Sequence, residues 1–147
     1  MRILMVVGKA TGGIGVHVDT LTADLRARGH GVVLATDALT AATFGWDDAR
    51  LVWPHGRAPR RIAASWRAAR SLVRGADVVH AHGHQAGAWA ASFSGRTPLV
   101  VSLHNNVLAG SVPGAVSGGA QRWVARRAAL VTGASSDLVQ IARAHGA

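Results

Sequence analysis

No cysteine occurs anywhere in the chain, which excludes disulfides, thiolate metal sites and a cysteine nucleophile, and fits a reducing compartment. Glutamate is missing too: all seven acids are aspartate, against fifteen arginines and one lysine. No stretch approaches the ~20 consecutive apolar residues that span a bilayer. The opening Met1–Gly8 (MRILMVVG) is too short for a signal-peptide core and has no small-residue cleavage pattern. A cytoplasmic location is the resulting expectation. What is present is 147 residues, 49% hydrophobic and 16% charged, the balance of one soluble globular domain able to bury a core. The net charge of +9 favours an anionic partner: a nucleotide diphosphate, an acidic membrane or nucleic acid. The arginine, alanine and glycine bias also looks like a GC-rich coding sequence, so charge alone does not choose among them.

Hydrophobic periodicity alternates along the chain. Arg2–Val7 (RILMVV) is a continuous apolar run ended by glycine, as in a strand buried on both faces of a parallel sheet. After the glycine-rich Gly8–Gly15, Val18, Leu21 and Leu25 fall on one helical face, and Gly29 stops the helix. Strands are expected at Gly31–Thr36, Leu51–Trp53, Asp77–His80, Pro98–Leu103 and Leu130–Thr132. Helices are expected at Pro59–Arg74, Gln85–Phe93, Val116–Arg127, and after the N-cap candidates Ser135, Ser136 and Asp137. Strand and helix in alternation predict an α/β fold: a doubly wound, mostly parallel Rossmann-like sheet with helices on both faces.

In such a sheet ligands bind beyond the carboxyl ends of the strands, where strand order reverses. With order 3-2-1-4-5-6 the crevice opens between the first and fourth strands. The unusual residues gather there: Thr11-Gly12-Gly13-Ile14-Gly15 after strand one, His80-Ala81-His82-Gly83-His84 after strand four, and His104-Asn105-Asn106 after strand five. The glycine loop leads into a helix, so its amides and the helix dipole can meet an anion closely. A tight turn that binds nothing is the alternative. It is no P-loop, because no Lys-Ser/Thr follows, and no dinucleotide fingerprint, because Val18 stands where the third glycine belongs. Asp37 is the only acid near the end of strand two that a dinucleotide site could use. His80, His82 and His84 alternate and could share a strand face that holds zinc. With the strand ending near His80 and no carboxylate nearby as support, no metal is expected. His30, His55 and His145 suit connectors and exposed loops. His17, one turn into the first helix, points either into the crevice or at the sheet.

The ordered set Gly12-Gly13-Ile14-Gly15-Val16-His17-Val18, Leu21…Leu25…Arg28-Gly29-His30-Gly31-Val32, Asp77-Val78-Val79-His80-Ala81-His82 and Val101-Ser102-Leu103-His104-Asn105, with a late strand ending in Ser135, resembles the N-terminal domain of family 4 retaining glycosyltransferases of the GT-B fold. The resemblance implies a nucleotide-sugar donor, an acceptor (small molecule, glycan or lipid) bound largely by this domain, no metal or other cofactor, and no nucleic-acid partner. It implies that Gly12, Gly13 and Gly15 bring amides against the donor diphosphate, and that His104 touches the donor sugar near the reacting carbon as the catalytic residue. His17, His80, His82 and Asn105 would line the acceptor side; many relatives have aspartate where Asn105 stands. The family's second domain, which holds the nucleotide, is not in this sequence. Residues 1–147 are therefore expected to be a single acceptor-side domain, truncated, and inactive by itself.

Two alternatives stand beside this: one subunit of a two-chain glycosyltransferase, or a non-catalytic Rossmann-like module for a nucleotide or anion. One more surface is singled out on Pro59–Arg74. Ile62, Trp66, Ala69 and Val73 fall within an arc of about 60°, and Arg60, Arg67, Arg70 and Arg74 gather opposite, flanked by Arg57 and Arg61. These arginines are either solvated scaffold or a basic face that docks on anionic lipid at the inner membrane surface.

Overall fold

The structure, a computed structural model, describes residues 1–56, 58–104 and 114–147. In chain order its elements are β1 (Arg2–Val7), α1 (Gly13–Ala27), β2 (Gly31–Thr36), α2 (Ala38–Phe44), β3 (Arg50–Leu51) and α3 (Pro59–Val73), then β4 (Val78–His82), α4 (His84–Phe93), β5 (Leu99–Leu103), α5 (Gly114–Arg127), β6 (Leu130–Gly133) and α6 (Ser136–Ala144). The sheet runs β3-β2-β1-β4-β5-β6, every pair parallel. The reversal of order falls between β1 and β4, the place where the order 3-2-1-4-5-6 puts the crevice.

The uninterrupted apolar runs follow from burial on both faces. From β1, Leu4 and Val6 point into one core with Val79, Ala81 and Val101, closed by Ala69 and Val73 of α3, Ala86, Ala90 and Phe93 of α4, Val124 of α5 and Leu138 of α6. Ile3, Met5 and Val7 point the other way, into a second core with Val32, Leu34 and Val18 of α1.

Two expectations need correction. β4 does not end near His80: His82 pairs with Val7 of β1 and with Ser102 of β5, so the ladder on both sides carries the strand two residues further. β3 is only Arg50–Leu51, held to Ala35 and Thr36, and Trp53 lies beyond it. Between β2 and β3 lies α2, an element the hydrophobic periodicity left unassigned. Its start is fixed by Asp37, whose carboxylate accepts from the amides of Leu39 (3.0 Å) and Thr40 (3.2 Å) and from the Thr40 hydroxyl (2.6 Å).

Asp37 is thus an N-cap, not a ribose ligand. Burial alone would raise its pKa; the hydrogen bonds from Thr40 and Leu39 outweigh that and hold it below the usual carboxylate value. The Thr40 hydroxyl passes the connection on by accepting from the amide of Ala10 at 3.0 Å. The β1–α1 loop is thereby tied to α2.

Removing the carboxylate unties three donors at once. We expect Asp37→Ala to cost about 2 kcal/mol and to lower Tm by roughly 4–8 °C. Asp24→Ala, which breaks only the exposed pair with Arg28, should change stability by less than ~0.5 kcal/mol. Thermal unfolding followed by circular dichroism checks both, and equal shifts would refute the assignment of Asp37 as the anchor.

Candidate functional site

At the carboxyl edge of the sheet α1 begins without a side-chain cap: Gly12 is the N-cap, and no side chain bonds the first turn. Gly15 N and Val16 N already bond Gly12 O at 2.9 and 3.4 Å. The amides of Gly13 and Ile14 remain as first-turn donors that the helix itself does not use. A side chain added at Gly12 or Gly13 would meet nothing within 4 Å, so both glycines border open space where a ligand can approach the backbone. Gly15 is different. A Cβ there would run into the Phe44 ring of α2, so its lack of a side chain is accounted for by helix packing.

Facing this helix end stand four imidazoles. His17 projects from α1 into the crevice, its ring centroid 5.1 Å from His104 and 5.7 Å from His82. His80 and His82 lie on one face of β4, centroids 4.2 Å apart, and His104 follows the end of β5. His82 Nδ1 is 3.2 Å from His104 Nε2, and His82 Nε2 is 3.4 Å from Met5 Sδ. His80 Nε2 bonds Ser102 Oγ at 2.8 Å, and Ser102 Oγ bonds Thr132 Oγ1 at 2.8 Å. The histidines therefore belong to a polar strip crossing β4, β5 and β6.

Burial sets their charge. It is the largest cause lowering the His80 pKa to about 4, helped by the charges His17 and His104 would carry. His82, 2% exposed, is pushed lower still by burial and then by His80, His104 and His17. His104 is lowered by burial first and by His17 second. Among the described residues no carboxylate contributes to these shifts, so His80, His82 and His104 are neutral at pH 7. Neutral rings keep a lone pair each, which imidazolium does not.

The structure thus brings Gly12, Gly13, His17, His80, His82 and His104 to one edge. Asn105, Asn106 and Arg57 lie outside the described residues. With β4 extended to His82, the geometric objection to a metal falls. His17, His82 and His104 each offer a nitrogen within 4.8 Å of the other two.

On α3, Arg60, Arg67 and Arg74 are exposed. Arg70 is half-buried, not part of the solvated face, because its guanidinium lies against Gly95. Ile62 and Trp66 are themselves 38% and 36% exposed. Sequence reasoning missed an open cleft lined by Trp53, Trp66 and Trp89, in which Trp53 and Trp89 meet edge to face at 6.3 Å. The concentration of aromatics in five tryptophans was the available signal. A further cavity of about 190 Å³ lies between α4, β5, α5 and α6. Its lining is almost wholly apolar and includes none of the four clustered histidines. No helix among the described residues is long and apolar enough to cross a membrane.

The architecture is the Rossmann-like half of a GT-B glycosyltransferase. HepE of Anabaena, solved in complex with UDP, superposes on 99% of this chain and 41% of its own, with TM-score 0.68 and 20% identity. MurG of Acinetobacter baumannii does so over 90% and 41%, at TM-score 0.62 and 14% identity. An alpha-glucosyltransferase in complex with UDP does so over 93% and 36%, at TM-score 0.59 and 16% identity. At such identities the likeness is one of fold, and the chain spans well under half the length of each. The profile of the glycosyl transferase 4-like domain matches residues 12–147, and the chain belongs to that family. Curated proteins give no match.

The two kinds of glycine separate by experiment. Gly13→Val should leave Tm within about 1 °C, since the site is open, yet weaken pyrophosphate or UDP binding at least tenfold by filling the approach to the amides. Gly15→Ala should cost about 1–3 kcal/mol by overpacking against Phe44. Calorimetric titration and thermal melts check the pair; unaltered binding in Gly13→Val would remove the helix end from the site.

Proposed function

We propose that this chain is the acceptor-side half of a retaining glycosyltransferase, which moves a sugar from a nucleoside diphosphate to an acceptor while a companion domain grips the nucleotide. One observation carries the reading: the uncapped start of α1 and the cluster of His17, His82 and His104 lie at the same carboxyl edge of the sheet, where strand order reverses. The diphosphate takes the amides of Gly13 and Ile14 and the positive end of the helix. The sugar beyond it reaches His104. The UDP complexes of two fold neighbours support a nucleotide in this architecture.

The hydrogen-bond chain supports an assignment of the working atom of His104. The Met5 thioether can only accept, so His82 Nε2 carries the hydrogen and Nδ1 has the lone pair. His104 Nε2–H donates to that lone pair, and His104 Nδ1 keeps its own. From there it accepts from a sugar hydroxyl and supports the positive charge growing on the ring as the bond from C1 to the phosphate oxygen breaks. In retaining transfer the acceptor oxygen bonds C1 on the face the phosphate leaves, and its proton passes to the departing phosphate. No metal is assigned to this step. The crevice must also exclude water, which one wall alone does not do.

In the protein with both halves, His104→Ala should lower kcat by ~2–4 kcal/mol of transition-state stabilisation, roughly 30- to 1000-fold, with donor Kd little changed. The isolated chain should transfer nothing from a panel of nucleotide sugars. An unchanged kcat with a raised KM would make His104 a binding residue only. Nucleotide binding without transfer in the full-length protein would leave an anion-binding module.

The acceptor side of the reading extends to α3. On the side of the helix opposite Ile62 and Trp66, exposed Arg60, Arg67 and Arg74 make a basic face for anionic lipid, each arginine contributing on the order of 1 kcal/mol near such a surface. The chain should sediment with anionic but not neutral liposomes at low salt. Exchanging Arg60, Arg67 and Arg74 for glutamine should abolish this, and equal sedimentation afterwards would return the helix to scaffold.

A further inference from the structure

His82 is held in one protonation form by what lies beneath it. With Nε2–H spent on Met5 Sδ, its Nδ1 lone pair is turned toward His104 Nε2, 3.2 Å away. His17 supplies a third nitrogen, and the three lie within 4.8 Å of one another. Two nitrogens each 2.0–2.1 Å from a tetrahedral zinc are themselves about 3.3 Å apart. The His82–His104 pair already has nearly that spacing, and needs only to turn so that its lone pairs converge. His17, exposed on α1, is free to swing the remaining distance. His80 is committed to Ser102 and stands outside the set.

We propose that His17, His82 and His104 form a binding site for one borderline divalent cation of the zinc class, with the fourth position open to the crevice. Three elements far apart in sequence supply the ligands, α1, the end of β4 and the residue after β5, so the site exists only in the folded chain. An imidazole set without carboxylate suits Zn²⁺, Co²⁺, Ni²⁺ or Cu²⁺ and rejects Mg²⁺ and Ca²⁺, which demand oxygen. Met5 plays the part a carbonyl or carboxylate plays elsewhere, fixing the tautomer of a ligating histidine from behind. When the cation takes His104 Nε2, that ring carries its hydrogen on Nδ1 instead, so both rings stay neutral and no net proton is lost from them. The Nδ1 lone pair is thereby lost. If His104 serves sugar transfer as proposed above, the ion is an inhibitor of that step and not its cofactor; this consequence rests on that reading, whereas cation binding does not.

The test uses the chain alone, with no nucleotide or acceptor. Cobalt added as its chloride should produce the intense visible bands of tetrahedral coordination, saturating at one ion per chain. ZnCl₂ should abolish them, and MgCl₂ and CaCl₂ should not. His17→Ala, at an exposed position, and His104→Ala should each weaken Zn²⁺ binding at least tenfold by calorimetry. Met5→Leu, a near-isosteric core change, should weaken it ~10- to 100-fold by releasing the His82 tautomer. A variant with His30, His55 and His145 all changed to glutamine should bind as the parent does. Binding that survives the His17→Ala, His104→Ala double variant, or that vanishes with the three-glutamine variant, would overturn the site. So would weak octahedral bands, since those mark cobalt held largely by water.

Discussion

The chemistry of this domain depends on three parallel strands ending level. Val7, His82 and Ser102 stand side by side across β1, β4 and β5, and that register decides what meets at the sheet edge. Parallel pairing permits no slippage here, because a shift of one residue would turn His80 and His82 into the core beneath α3 and α4 and bring Val79 and Ala81 to the face that α1 covers. The hydrophobic runs that drive the sheet together therefore also aim the histidines. Burial then keeps those rings neutral, so that each retains a lone pair instead of a fixed positive charge.

The glycine loop is placed by a different set of forces. Its anchor is polar and comes from the far side of β2, through Asp37, the Thr40 hydroxyl and the Ala10 amide. Phe44 fills the space above Gly15, so α1 and α2 pack closely just behind the helix end. A cationic protein with only seven acids has placed one of them, fully enclosed, where it orders the loop beside the crevice.

Much of this was legible in the residues. Five of the six strands announced themselves as apolar runs, and their alternation with helices gave the doubly wound class, within which the order 3-2-1-4-5-6 was one arrangement. The convergence of the Gly12–Gly15 loop with His80, His82 and His104 could be inferred before any side chain was placed. What could not be read was set by pairing and tertiary contact. The strand through His82 is polar at every second position, and only its two neighbours reveal that the ladder continues. α2 is short, with β-branched threonines and no apolar stripe of its own, so propensity gave little sign of it; its cap bonds make it a helix. Arg70 sits near the edge of the basic face on a helical wheel, yet the α4–β5 turn at Gly95 covers it. Gly15 looked like its neighbours because a glycine demanded by an aromatic ring and one demanded by a ligand are the same letter.

The anchoring of the loop has a thermodynamic corollary. Because Ala10 is already fixed before any anion arrives, ordering the cradle belongs to folding and not to association, and a ligand meets amides that need little rearrangement. Affinity at the start of α1 is then linked to the local stability of α2, a helix placed behind the loop. Warming that frays α2 would release Ala10 and scatter the donors while the central strands remain intact. An anion held there as proposed would be released below the temperature at which the domain melts, as expected where a site is drawn from the less stable end of a fold.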